Sequence, residues 1–389
     1  MGRLGWYQQI TRIEPFDDAP LDADLVAAFE RGAAAHEPRR SVRFYTPTFK
    51  SYETSELKDC GKNSFPAFSI TGGACALDCD HCRAKILQPM IPATNPEMLD
   101  SRVRDLIMLQ DLKGFLLSGG SNRRNEVPYE RYLPTVEKLK HDYPHLRIAV
   151  HSALLDQARA KGLEAAGVDV AMTDVIGAQE TIREVYHLER SVDDFEATLA
   201  ALRTTRMEIV PHIVIGLHYG TLKGEFNALD MISRHAVDAL VLVIVMPYYA
   251  APETPFDTIA PGEIAQVFRA ARQRLPALPL LLGCARPPGL HKLAVDSYAL
   301  MAGLDGIANK RDPGKRIDLN LYAEGHKVKG LRKLPLNLLD AIRLTEKSKV
   351  LRDGFGDSFV KSYVKLKHSQ WDDYAGSLSQ WERDNTLDC

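Results

Sequence analysis

Three cysteines within a short stretch constrain this chain more than any other feature. Cys75, Cys79 and Cys82 are spaced C-x3-C-x2-C and follow an apolar run and two glycines, in FPAFSITGGACALDCDHCRAKILQPM over residues 65–90. Three thiolates on one loop can bind three irons of a cubane [4Fe-4S] cluster, whereas ferredoxin-type sites supply a fourth cysteine. No fourth cysteine follows nearby. One iron is therefore predicted to stay open to a ligand from outside the protein, as in catalytic metal sites.

Two other interpretations apply to the same cysteines. A zinc site could combine the three thiolates with a histidine such as His81, and cysteines can also be buried without any metal. A zinc ribbon or finger would require a second Cys/His pair at regular spacing downstream, which the sequence lacks. The strand, the glycines and the spacing together favour the iron–sulfur interpretation.

Composition excludes several classes of protein. The 389 residues carry 49 Lys and Arg against 51 Asp and Glu, so no strong field for nucleic acid or a membrane surface is expected. Six cysteines, three of them clustered, do not form the pattern of a secreted disulfide framework. No run reaches the ~18 apolar residues of a membrane span. We therefore expect a protein of the reducing cytoplasm.

Apolar runs and helix-period segments alternate from residue 64 onward. The runs that read as strands are 65–72, 114–119, 146–151, 168–173, 208–217, 239–246, 278–284 and 304–308. Buried strands separated by helices predict an α/β fold with a parallel (β/α)8 barrel, whose chemistry lies at the C-terminal ends of its strands. The cysteine loop follows the first strand, so we expect it at that face.

The cysteine spacing placed after a first strand resembles the signature of the radical S-adenosylmethionine (SAM) superfamily. The resemblance implies a TIM-type radical SAM barrel in which Cys75, Cys79 and Cys82 bind a [4Fe-4S] cluster and SAM chelates the fourth iron. Residues 40–308 look most like the biotin-synthase-like proteins, which include the two-component lipoyl synthases.

The resemblance also implies roles for residues at other strand ends. Gly119, Gly120 and Ser121 match a Gly-Gly-Glu-like segment that contacts the SAM amino group, although Ser121 stands where the family often has an acid. Gly216 ends a segment that lies along the adenine, and Arg190 aligns with an arginine that holds the SAM carboxylate. Further candidates for contacts with SAM or substrate are Ser152 and Asp174, which could otherwise be caps or turn residues.

A thiol and a guanidinium follow the seventh predicted strand, at Cys284 and Arg286. We expect them to meet substrate or a second iron–sulfur cluster. Biotin synthase has an arginine matching Arg286 that ligates its auxiliary cluster, but the three cysteine ligands of that cluster are missing here. Cys60 and Cys284 are the candidate ligands if a second cluster exists.

The C-terminal segment resembles a different family. LPLNLLDAI, VLRDGFGDSFV and the closing WERDNTLDC look like the C-terminal end of glutamine-synthetase-family ligases. We therefore predict three regions: an N-terminal extension at 1–63, the barrel at 64–308 and a helical C-terminal extension at 309–389. Packing or oligomerisation, rather than ligase activity, is the expected role of the last region.

The resemblance to radical SAM enzymes predicts reductive cleavage of SAM to a 5'-deoxyadenosyl radical for C–H activation. The lipoyl-synthase-like features imply sulfur insertion into an acyl chain on a carrier protein, with a reductant such as ferredoxin or flavodoxin and a companion radical SAM subunit. Radical rearrangement or methylation of another substrate is the alternative activity. A non-catalytic iron–sulfur scaffold is the alternative from another class.

Overall fold

The protein is described here as a computed structural model covering 21–33, 64–110, 112–247, 250, 254, 256–283, 286–287, 289–302 and 337–377. These residues divide into two compact units, one ending at residue 302 and one formed by 337–377. Among the described helices, none has both the length and the apolar composition needed to cross a membrane.

The first unit is built on eight parallel strands. They pair in the order β2-β1-β3-β4-β5-β6-β7-β8. The strands are β1 (Ala67–Ser69), β2 (Ile91–Pro92), β3 (Gly114–Ser118), β4 (Arg147–His151), β5 (Val170–Asp174), β6 (Glu208–Ile215), β7 (Leu240–Ile244) and β8 (Leu280–Leu282).

Helices connect the strands and cover the outer face of the sheet. They are α1 (Ala23–Ala33), α2 (Pro96–Leu109), α3 (Leu133–Asp142), α4 (Gln157–Ala165), α5 (Gln179–Glu184), α6 (Val192–Leu202), α7 (Glu225–Ser233), α8 (Pro261–Arg274) and α9 (Leu290–Met301). Tyr298 of α9 ties α1 to this unit, because its hydroxyl accepts the Asp22 N–H at 2.7 Å and its ring stacks on Phe29.

A small apolar cluster on the inner face shows that the sheet curves as in a TIM-type barrel. Ala149, Val170 and Val210 form its centre, and Phe65 before β1 and Val241 on β7 pack against it. A flat sheet with strands about 4.8 Å apart would hold those last two residues far from each other. The predicted α/β fold with a parallel, barrel-like sheet is confirmed.

Strand bounds differ from the predicted runs by a few residues, and one strand was missed. The two-residue β2 gives almost no periodic signal, so the sequence did not reveal it. The predicted strand at 304–308 lies outside the described residues. Seven predicted runs correspond to β1 and β3–β8.

A buried carboxylate closes the loop that follows β6. Glu225, only 5% exposed, accepts the Gly216 N–H at one oxygen, and the Lys223 and Gly224 N–H groups at the other. Gly216 has φ +79°, a left-handed conformation that favours glycine. The side chain of Glu225 therefore holds the strand end next to the candidate site.

Glu225→Ala is expected to lower the free energy of unfolding by about 3 kcal/mol, because buried backbone donors lose their charged acceptor. Glu225→Gln keeps one carbonyl acceptor and should lose about half as much. Urea unfolding followed by circular dichroism measures both. Glu137→Ala, at an exposed glutamate of α3, is the control and should change stability little. Equal effects of Glu225→Ala and Glu137→Ala would contradict this role.

The second unit contains three helices, α10 (Leu338–Lys347), α11 (Lys349–Phe355) and α12 (Asp357–Ala375). Ile342, Val360 and Val364 form its buried centre, and Phe359 and Trp371 pack against them. Asn337 and Ser348 cap α10 and α11 by accepting backbone N–H groups. The described part of the C-terminal region is thus helical, as predicted.

Candidate active site at the strand ends

The cysteine loop follows β1 at the C-terminal edge of the sheet. Left-handed backbone at Asp78, Arg83 and Ala84 lets the chain curl so that its cysteines converge. The loop is anchored at Asp80, whose N–H donates to the Val185 carbonyl and whose carboxylate accepts the Tyr219 hydroxyl at 2.8 Å. These long-range bonds hold the loop against the C-terminal end of α5 and the loop that follows β6.

The three thiols interact with one another. Cys79 is buried, and its hydrogen bond with Cys82 lowers the pKa of the Cys82 thiol to about 4. The same bond, together with burial, raises the pKa of the Cys79 thiol. Cys75 lies close enough for its charge to act on Cys79, and its Sγ approaches the Ser121 carbonyl oxygen at 3.8 Å. The predicted metal ligands are therefore brought together.

The donor set fits an iron–sulfur cluster. Cys75, Cys79 and Cys82 are the only cysteines within the described ranges, so the described chain offers three thiols and no fourth. His81, which the zinc interpretation would use, packs its ring against Tyr186, with centroids 5.4 Å apart, and its side chain also interacts with the Cys82 thiol. Its buried Nδ1 has no hydrogen-bond partner among the described residues. Three soft thiolates without a fourth described cysteine suit a [4Fe-4S] cluster with one open iron.

The glycines after β3 contact the cysteine loop itself. A Cβ placed on Gly120 would lie 2.0 Å from the Ala74 carbonyl oxygen and 2.6 Å from the Cys75 Cα. The Gly120 N–H also donates to the Thr71 hydroxyl at 2.7 Å. At Gly119 a Cβ would lie 2.9 Å from Ile70. The structure thus shows Gly120 making room for the backbone that carries Cys75.

Arg190 lies beside an acid that the sequence did not single out, in the segment that follows Ser121. The Ser121 carbonyl accepts the Ala76 N–H at 2.8 Å. Five residues later, Glu126 lies 3.5 Å from the Arg190 guanidinium, which also lies 3.6 Å from Asp194. Burial would raise the pKa of Glu126, but hydrogen bonds from Arg124 and Asn122 and nearby positive charge lower it. The acid absent at position 121 is thus present nearby in space.

Asp174, at the end of β5, lies between two histidines. Its Oδ1 is 3.7 Å from His151 Nε2, and the His151 and His212 rings are 5.5 Å apart. Burial would raise the pKa of Asp174, but the His151 and His212 side chains lower it to about 2. Burial alone would lower the pKa of His151. The Asp174 carboxylate has the larger effect, so the pKa of His151 is raised. Burial and the charge of His151 lower the pKa of His212 to about 4.

The remaining predicted residues take part in local contacts. Ser152 is buried, and its hydroxyl donates to the Met172 carbonyl at 3.2 Å. Gly216 has its N–H bound to Glu225, as described above. Arg286 lies 2.8 Å from Asp296 on α9 and donates to the Gly283 carbonyl at 2.7 Å. Cys284 and Cys60 lie outside the described residues.

The missed residues are Glu126 and the two histidines His151 and His212 as a pair. The sequence does carry a signal for the histidines: His151 ends β4, and His212 interrupts the apolar run of β6. No periodicity indicates Glu126, because it lies in an irregular loop that only the fold brings to Arg190.

Comparisons with known proteins give different matches for the two parts of the chain. Residues 293–386 match the family model of the glutamine synthetase catalytic domain. The glutamine synthetase of Rhizobium leguminosarum bv. phaseoli is 47% identical over 100 residues, which are 24% of this chain and 23% of that protein. The chain therefore spans about a quarter of the length of the curated relatives it matches.

Three solved structures are similar to the larger part of the chain. Methylornithine synthase is 14% identical, covering 84% of this chain and 93% of its own, with a TM-score of 0.46. The [FeFe]-hydrogenase maturase HydG from Carboxydothermus hydrogenoformans is 14% identical. The match covers 77% of this chain and 67% of HydG, with a TM-score of 0.48. A radical S-adenosylmethionine methyltransferase from Kitasatospora setae, with cobalamin and a [4Fe-4S] cluster bound, is 12% identical. The match covers 52% of this chain and 41% of the methyltransferase, with a TM-score of 0.36.

Proposed function

We propose that this chain is a radical SAM enzyme. The observation that carries the proposal is the three-cysteine loop, whose thiols converge at the C-terminal edge of a parallel, barrel-like sheet. That edge is where barrels of this kind place their chemistry. The likeness in spacing to the radical SAM signature supports the same assignment.

Cys75, Cys79 and Cys82 would hold three irons of a [4Fe-4S] cluster. When bound, the cluster supplies one electron to SAM, which splits into methionine and a 5'-deoxyadenosyl radical that takes hydrogen from a substrate C–H bond. Burial of Cys79 and the apolar layer around Ala149, Val170 and Val210 limit the access of water from below.

The chain offers charged partners for the methionine part of SAM. Arg190 suits the carboxylate, because a guanidinium binds carboxylates strongly, and Glu126 beside it suits the ammonium group. The Ser121 carbonyl faces the cysteine loop, and Gly216, which directly follows β6, is proposed to lie along the adenine of SAM. Among these, Arg190 and Gly216 keep the roles that the resemblance implies, whereas Glu126 takes the amino group that the resemblance assigns to the segment ending at Ser121.

Sulfur insertion into a carrier-bound octanoyl chain is the reaction we infer from the lipoyl-synthase-like features. It would require an electron donor such as ferredoxin or flavodoxin, a companion radical SAM subunit and a second source of sulfur. The candidate ligands of a second cluster, Cys60 and Cys284, lie outside the described residues. Arg286 is already paired with Asp296, which favours a structural role for its guanidinium.

The glutamine-synthetase-like segment is proposed to pack or assemble rather than catalyse. Its helices α10–α12 enclose an apolar cluster of their own around Ile342. The match covers about a quarter of the ligases concerned.

Anaerobic reconstitution with iron and sulfide counting and Mössbauer spectroscopy tests the assignment. Wild type is compared with the variant carrying Cys75→Ala, Cys79→Ala and Cys82→Ala. One cluster in wild type and none in the variant would support the radical SAM assignment and remove self-sufficient sulfur insertion. Two clusters in wild type, of which one survives in the variant, would support both the radical SAM assignment and self-sufficient sulfur insertion. A wild type that binds zinc but no cluster would overturn the proposal.

A further inference from the structure

The strand register places two histidines and a carboxylate on one face of the sheet. Asp174 on β5 pairs directly with His212 on β6, and His151 on β4 pairs with Met172, two residues before Asp174. Side chains at paired positions, and at positions two apart, share a face. That face is the inner one, because Met172 and Val210 belong to the inner apolar cluster.

The three side chains lie close enough to share one ion. One ligand atom from each lies within 4.8 Å of the others, and His151 Nε2 is 3.7 Å from Asp174 Oδ1. A tetrahedral ion with bonds of about 2.0–2.1 Å sets its ligand atoms about 3.4 Å apart. A movement of about 1 Å in the side chains would therefore bring all three ligand atoms to bonding distance from one ion.

His212 is oriented as metal-binding histidines are. Its Nδ1 lies 3.1 Å from the carbonyl oxygen of Val210. Donation of the Nδ1–H to that carbonyl leaves the lone pair of Nε2 for an ion, which is the tautomer that outer contacts impose on histidine ligands. The strand end that carries His151 is held in turn by the buried Tyr129 hydroxyl, which donates to the His151 carbonyl at 2.8 Å.

We propose that His151, Asp174 and His212 bind a single divalent transition-metal ion, Zn²⁺ or Fe²⁺, at a site separate from the three cysteines. Two imidazoles and one carboxylate on one side of an ion form the facial arrangement that leaves coordination positions open. The His151 and Asp174 side chains are 30% and 32% exposed, so an exogenous ligand can reach the ion from the barrel mouth.

The open positions suit an oxygen or nitrogen donor of the substrate, such as a carboxylate, carbonyl or amine. The apolar layer of Ala149, Val170 and Val210 beneath the three residues keeps that side of the ion dry and strengthens its electrostatic pull on the donor. The ion would then anchor the substrate inside the barrel, near the cysteine loop. A salt bridge between His151 and Asp174 alone would need no third partner, whereas this arrangement includes the His212 ring.

The test titrates Co²⁺, as the probe metal, into the full chain carrying Cys75→Ala, Cys79→Ala and Cys82→Ala. Removing these thiols separates this site from the cluster, so failure here is distinct from failure of the proposed function. We expect one Co²⁺ per chain by calorimetry, with visible d–d bands and no sulfur-to-cobalt charge-transfer bands. Adding His151→Ala or Asp174→Asn should weaken binding by at least ~10-fold.

Two further variants test whether the loss of Co²⁺ binding is specific to the proposed ligands. His212→Gln keeps a polar side chain and should also weaken binding at least ~10-fold, without leaving a hole in the barrel. His145→Ala, at an exposed histidine, should leave binding unchanged. Thermal melts followed by circular dichroism show which variants remain folded. Absence of a stoichiometric site, or Co²⁺ binding that survives all three ligand substitutions in folded protein, would overturn the proposal.

Discussion

Cys79→Ala is expected to abolish the formation of 5'-deoxyadenosine from SAM under anaerobic reduction. Cys79 is 5% exposed and interacts with both Cys75 and Cys82, so its removal takes away the central ligand of the proposed cluster. With only two thiolates left, one of the three irons that the protein binds has no protein ligand. Without an intact cluster no electron reaches SAM, and the product should fall to the level of protein-free samples.

The measurement is chromatographic quantification of 5'-deoxyadenosine and methionine with dithionite as reductant. Ile86→Ala is the control, because Ile86 is 48% exposed and lies just beyond the same loop. It should form product at the wild-type rate. Product from Cys79→Ala at that rate would refute the assignment of this residue as a ligand. A wild type that binds a cluster and forms no product would instead favour the non-catalytic scaffold.

Gly120→Ala is expected to displace the cysteine loop and lower both cluster content and SAM cleavage by ~10-fold or more. The new methyl group would overlap the Ala74 carbonyl and the backbone of Cys75, since the distances are 2.0 and 2.6 Å. Overpacking of this kind costs about 1–3 kcal/mol, and here rigid backbone rather than a flexible side chain must move. Iron content per chain and the rate of 5'-deoxyadenosine formation report the effect.

Gly73→Ala is the matched control for that substitution. Gly73 lies in the same loop, two residues before Cys75, and a Cβ there has no atom within 4 Å among those described. It should retain wild-type iron content and activity. If Gly120→Ala also retains both, the loop can move without harm, and the close approach of the glycine is not what positions Cys75.

Much of the barrel could be predicted because buried parallel strands are short apolar runs. β3 through β7 follow this rule, and the predicted runs overlap each of them. The two-residue β2 could not be found, because so short a strand owes its pairing to β1 rather than to its own sequence. The location of the cysteine loop followed from the rule that loops after barrel strands meet at one face.

Individual roles were harder to predict than positions. Gly120 was predicted to contact SAM, which stays a prediction, and the structure adds that it makes room for the backbone of Cys75. Arg286 was expected at the substrate, and the structure pairs it with Asp296 on the following helix. Both outcomes depend on contacts between segments distant in sequence, which spacing within a single motif does not report.

The sequence by itself determined the set of three clustered thiols and the fold class, because cysteine spacing and strand periodicity are local properties of the chain. Only the tertiary structure decided that Glu126 lies beside Arg190, and that His151, Asp174 and His212 share one face. The physical reason is register: a shift of one residue in the pairing of β5 with β6 would turn His212 away from Asp174. That register is set by the packing of the whole sheet.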